Sequence, residues 1–74
     1  MNCPSPEVFA LRIKAERQRL GLTERAAAGL LKIDQTSYRR YESGTHLPRT
    51  DRLYALYAIG MDPRVIQPEL FAAS

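Results

Sequence analysis

TERAAAGLLKIDQTSYRRYESG, Thr23 to Gly44, is the stretch that decides how the rest of the chain is arranged. Thr23 stands before Glu24, Arg25 and the apolar set Ala27, Ala28, Leu30 and Leu31, which is the pattern of an N-cap opening a helix. Leu22 can staple onto Ala27. The run Ala26-Ala27-Ala28-Gly29 carries almost no side-chain bulk, so a close helix crossing is expected there. The same grammar repeats a few residues later. Asp34 caps, Ile33 staples onto Tyr38, and the second helix runs from Gln35 through Glu42 until Gly44 ends it. Tyr38 and Tyr41, three apart, point to the core. That leaves Gln35, Thr36, Ser37, Arg39 and Arg40 facing outward, a polar and cationic face with no obvious structural use.

Working outward, Ser5-Pro6-Glu7 is a helix start with serine as cap and proline at the first helical position. The helix continues through Val8, Phe9, Ile13 and Leu20 to Gly21, with Arg12, Lys14, Glu16 and Arg19 read as its solvated face. Beyond Gly44, Thr45-His46-Leu47-Pro48-Arg49 is a loop by composition. Thr50 or Asp51 should cap a fourth helix, Arg52 to Ile59, with Leu53, Leu56 and Tyr57 inward and Gly60 closing it. Asp62-Pro63 opens a short fifth helix that Pro68 stops. The reading is one domain over 1–74, with a core of about 6–67 and a tail of 68–74, built as an all-α bundle of four to five helices.

Composition narrows the function. At 74 residues and 45% hydrophobic, the chain suffices for one small core. No apolar run approaches the ~20 residues of a membrane span, and no charged-then-apolar leader marks secretion. Cys3 has no partner for an internal disulfide, which fits a reducing cytoplasm. A net charge of +3 permits nucleic-acid binding without demanding it, and the cations are spread along the chain. With one histidine, one cysteine, no glycine-rich phosphate loop and no predictable carboxylate pair, no catalytic residue, metal ligand or cofactor is expected.

The residues Ile13, Arg17, Gly21-Leu22-Thr23, Ala28, Ile33, Tyr38, Tyr41, Glu42, Gly44, Pro48 and Leu53 together resemble the helix-turn-helix domain of the lambda and 434 repressor and Cro superfamily, also called XRE-like. The resemblance runs from Ile13 to about Ile59 and implies a lambda repressor-like fold. It implies an ion pair between Arg17 and Glu42 that fixes the second helix of the motif on the first helix of the chain. It also implies sequence-specific binding to double-stranded DNA. Gln35, Thr36, Ser37 and Arg40 would be the base-contacting set, with Gln35 suited to adenine and Arg40, a turn further along, to guanine. Arg39, Thr45, His46 and Arg49 would lie on the backbone.

The chain departs from the family at two positions. Lys32 replaces the usual turn glycine and can turn left-handed only at a cost of about 1 kcal/mol. Glu24 replaces a glutamine that touches phosphate, and a carboxylate there would repel one, although it suits a helix N-terminus.

A dimer reading two half-sites about 34 Å apart is expected, with Ile66, Leu70 and Phe71 as candidate dimer contacts. With no separate sensing domain expected, the setting implied is a phage, prophage or bacterial repressor acting as a homodimer. Two alternatives remain open. One is an antitoxin that also binds its own operator, with a toxin or antirepressor as protein partner. The other is a protein-interaction module that has lost DNA binding.

Overall fold

The computed structural model describes residues 5–45 and 48–68. Among them are the helices α1 (Pro6–Arg19), α2 (Glu24–Leu31), α3 (Gln35–Ser43), α4 (Thr50–Ala58) and α5 (Pro63–Ile66), and no strand. Side-chain oxygens close the helix starts where the sequence predicts: Ser5 accepts from the Val8 N–H, Thr23 from Ala26, Asp34 from Ser37 and Asp62 from Arg64. The fourth helix differs from expectation. It begins at Thr50 with Arg49 in the cap position and no side-chain cap bond, so neither Thr50 nor Asp51 caps it.

Three of the helices end in one motif. After α2, Lys32 donates to the Gly29 carbonyl at 3.1 Å and Ile33 to the Ala28 carbonyl at 3.1 Å, the pair of bonds that defines a Schellman turn. Gly21 and Leu22 close α1 in the same way, and Gly60 and Met61 close α4. In each case the residue after the turn, Leu22, Ile33 or Met61, drops into or against the core. One residue thus ends one helix and fixes the approach of the next.

The left-handed position of the middle turn falls on Lys32, with φ 59° and ψ 40°. The steric cost is accepted because two backbone bonds and the burial of Ala28 beside Ile33 hold the turn in place.

The core joins Phe9 and Ile13 of α1, Ala27, Ala28 and Leu31 of α2, Tyr38 of α3 and Leu56 of α4 to Met61 and Ile66. The small-residue run is used only in part. Ala27 and Ala28 are buried, but Ala26 and Gly29 are exposed, and a Cβ at Gly29 would meet nothing within 4 Å. Gly44 is the glycine that permits a close approach. Its φ is +81°, and a Cβ there would come within 3.3 Å of the Glu7 backbone, so the end of α3 rests directly on the start of α1.

The outward face read for α1 is corrected by the structure. Glu16 is only 4% exposed. Its carboxylate accepts from Arg19 Nε at 2.9 Å, from Arg19 Nη2 at 2.8 Å and from the Asp62 backbone N–H at 2.8 Å. Arg19 also donates to the Gly60 carbonyl at 2.9 Å, and Arg12 to the Ile66 carbonyl at 3.2 Å. These side chains clamp the 60–66 segment onto α1, satisfying backbone groups that α5, only four residues long, cannot satisfy itself. Lys14 keeps to the solvated reading, and Arg19 is exposed as read while its guanidinium also serves the clamp.

Ile66 is corrected too. Its exposure is 0%, so it belongs to the core of its own chain and offers no dimer contact. Leu70 and Phe71 lie outside the described residues, as do Cys3, His46 and Leu47.

The Arg19 hydrogen bond, helped by the Asp62 N–H and Arg19's charge, outweighs burial and holds the Glu16 carboxyl below its ordinary value of 4.5. A carboxyl lowered in the folded state stabilises above its unfolded pKa, and that stability is lost as pH falls through the folded value. Glu16→Gln should therefore cost about 1–3 kcal/mol at neutral pH. Its melting temperature should also fall less steeply than the parent's between roughly pH 5 and 3. Thermal melts of both proteins across that range check this, and parallel slopes would dismiss the clamp as the acid-sensitive element. Lys32→Gly relieves the left-handed turn and should stabilise by about 1 kcal/mol, seen as a higher melting temperature.

Candidate nucleic-acid interface

Two features fix α3 in place. On its inner side Tyr38 is fully buried, meeting Tyr41 edge to face at 6.2 Å between ring centroids. On the side towards α1, Arg17 Nε donates to Glu42 Oε2 at 2.7 Å and Nη2 to Oε1 at 3.2 Å. The third arm of the guanidinium, Nη1, donates to the Leu22 carbonyl at 2.8 Å. One cation therefore ties α1, the entry to α2 and the last turn of α3 together. The side chains of Arg17 and Glu42 are 12% and 5% exposed, so the pair is largely out of water. Its planar two-bond geometry is directional in a way apolar packing is not.

The Tyr38 hydroxyl lies beside this pair. It is buried without a hydrogen bond of good geometry. Burial, and then the nearby Glu42 carboxylate, push its pKa far above the ordinary value of 10. It stays protonated at any working pH.

The outward side of α3 carries Thr36, Arg39, Arg40 and Ser43, all exposed, with Gln35 half-buried at its edge. Helical register divides these side chains into two rows. Gln35 and Arg39, four apart, form the row nearer α2, and Thr36 and Arg40 form the next. Arg40 is thus not in line with Gln35 as the sequence reading had it; it is five residues on, about 140° around the axis. Arg39 occupies that place.

Ser37 differs from its neighbours. It is half-buried, its N–H is bonded to Asp34 Oδ2 at 3.2 Å and its hydroxyl donates to Oδ1 at 2.7 Å. The Ser37 hydroxyl, followed by its backbone N–H, lowers the Asp34 pKa. Ser37 serves the helix start first.

Past α3, Thr45 is exposed, with its hydroxyl 3.0 Å from the Ser43 hydroxyl and 3.3 Å from the Arg40 carbonyl. Arg49 is exposed ahead of α4. Ser43, which the sequence reading left out, lies on the outward face, where helical register alone would have put it. Glu24, read as a carboxylate that would repel phosphate although it suits a helix N-terminus, has a cation beside it: Arg39 Nε is 3.6 Å from its Oε1. Nothing in the sequence pairs residues on different helices at that spacing. Among the described residues no group of three or more His, Cys, Asp or Glu could hold a metal ion. None of their helices is long and apolar enough to cross a membrane.

A capped helix, a tight left-handed turn and a second capped helix with a polar and cationic outer face define a helix-turn-helix. The chain belongs to that family: residues 8–62 match its model, described as a helix-turn-helix domain, of the XRE and Cro kind. Comparisons with curated proteins and with solved structures found no match. Membership suggests sequence-specific DNA binding and transcription regulation, in a family typically without enzymatic activity.

If the Arg17–Glu42 pair sets the seat of α3, Glu42→Ala leaves a buried guanidinium unpaired and should cost ~3–5 kcal/mol, lowering the melting temperature by ten degrees or more. Unchanged stability would remove the pair from the account. Tyr38→Phe, by contrast, deletes a buried hydroxyl that makes no good bond and should leave the melting temperature unchanged or higher.

Proposed function

We propose that this chain is a small transcriptional repressor of the Cro kind, binding a near-palindromic operator as a homodimer and acting by covering a promoter. The observation carrying the reading is the outer face of α3. Four polar or cationic side chains, Gln35, Thr36, Arg39 and Arg40, stand on a helix whose other sides are committed to Tyr38 and to the Arg17–Glu42 pair. An α-helix fits the major groove, where the first residues of the recognition helix reach base edges.

In this reading Gln35 and Thr36, at the helix start, meet bases, and Arg40 meets a guanine or its flanking phosphate. Ser37 contributes through the lone pairs its cap bond leaves. Thr45, His46 and Arg49 follow the sugar-phosphate backbone. Backbone contacts position the helix and base contacts specify the sequence. A single module makes few contacts, so affinity is gained by pairing two of them across a two-fold axis. With Ile66 buried, the dimer face must use other residues, and Leu70 and Phe71 remain in that proposal.

A second reading, an antitoxin that binds both a protein partner and its operator, is favoured by one observation. Leu11 and Tyr54, large apolar side chains outside the proposed reading face, are each 69% exposed. Co-purification of a second small protein with the chain expressed from its own operon would establish that reading.

The test of the first is selection from a random duplex pool. It should enrich a short inverted repeat whose affinity falls steeply with salt as counterions are released. On that duplex Gln35→Ala or Arg40→Ala should lose ~1–3 kcal/mol and relax preference at one base pair, with folding intact. Arg49→Ala should weaken binding to all sequences alike. Parent-like binding by both Gln35→Ala and Arg40→Ala would put the reading face elsewhere.

A further inference from the structure

We infer that Glu24 and Arg39 act as one unit, in which Arg39 contacts a DNA phosphate while screening the Glu24 carboxylate from it. This rests on the DNA-binding reading above and adds a positioning role to a residue whose charge would otherwise oppose that function.

Glu24 is the first residue of α2. In a helix-turn-helix the first helix of the motif crosses the nucleic-acid backbone while the second enters the groove. That sets the start of α2 near the line of phosphates. A bare carboxylate there lies well within a Debye length of them and repels.

The structure supplies the counter-charge from α3. Arg39 lies in the row of α3 nearer α2, and its Nε is 3.6 Å from Glu24 Oε1. Its side chain is 65% exposed against 33% for Glu24, so the cation is the outer member of the pair. Glu42, the carboxylate one turn along α3 from Arg39, is already held by Arg17. A guanidinium has five N–H donors in a planar fork. With Nε turned to Glu24, the outer edge of the fork remains available to a phosphate. An ion pair this exposed adds little to folding stability. Its consequence falls on binding: the carboxylate holds the arginine at the rim of the reading face, and the arginine makes the carboxylate tolerable there.

The prediction is non-additivity. Four proteins, the parent, Glu24→Gln, Arg39→Ala and the double variant, are titrated against the duplex enriched by the parent, at two salt concentrations, after circular dichroism has established that each is folded. Arg39→Ala should weaken binding roughly tenfold or more, because it removes a phosphate contact and also uncovers Glu24. Glu24→Gln alone should stay within about threefold of the parent. The double variant should recover at least about threefold of the Arg39→Ala loss, with the recovery shrinking at the higher salt as repulsion is screened. Equal losses from Arg39→Ala with Glu24 and with Gln at position 24 would mean that the two act independently; this inference would fall while the DNA-binding reading stood. If the parent enriches no duplex at all, the DNA-binding reading fails and takes this inference with it.

Discussion

The arrangement depends on a guanidinium that three parts of the chain share. Arg17 reaches Glu42 with two of its arms and the Leu22 carbonyl with the third. In a small domain that buries only about 60% of its unfolded surface, apolar packing leaves limited means to set the angle of a nine-residue helix. Such a helix is too short to persist by itself in water. A pair of charges removed from solvent contributes little net stability, because desolvation offsets much of the attraction. What it contributes is direction. The two parallel bonds allow one orientation of Glu42, and so one rotation of α3, which decides that Thr36, Arg39 and Arg40 look outward.

The second carboxylate of α1 solves a different problem by the same means. Glu16 and its neighbours Arg12 and Arg19 hold the 60–66 segment through its backbone. Most of the charge α1 carries is therefore committed to tertiary structure, and the net +3 of the chain says little about where cations are available. On the described residues of α3 and the turn after it, by contrast, the exposed cations stand on the side away from the core. Function and folding divide the charged residues between them by location, with the same residue types used for both.

That division explains what could be read in the sequence and what could not. Caps, staples and the breaks at Gly21, Gly44 and Gly60 are local, encoded within a few residues, and they placed the helices closely. The inward Tyr38 was equally legible from spacing. The clamp around Glu16 was not, because its partners lie 41 to 54 residues away and no periodicity distinguishes a glutamate that will meet a backbone N–H from one that will meet water. Ile66 looked free because a four-residue helix has too short a pattern to show which side is buried. Arg40 was placed a turn along from Gln35 and Arg39 to the side, where helical register gives the reverse: Arg39 is four residues on and in line with Gln35, and Arg40 is five on. At the candidate site the outward residues were legible as a set, but Glu24 beside Arg39 needed two helices brought together.

The central claim is that the seated α3 presents the reading face. The most direct measurement is an amide and side-chain NMR titration of the folded chain with its selected duplex. The account predicts the largest shifts at residues 35–45 and at the start of α2, with α5 and the outer side of α1 nearly unmoved. Shifts centred instead on exposed apolar residues outside α3, such as Leu11, Tyr54 or Val65, with α3 unaffected, would contradict it.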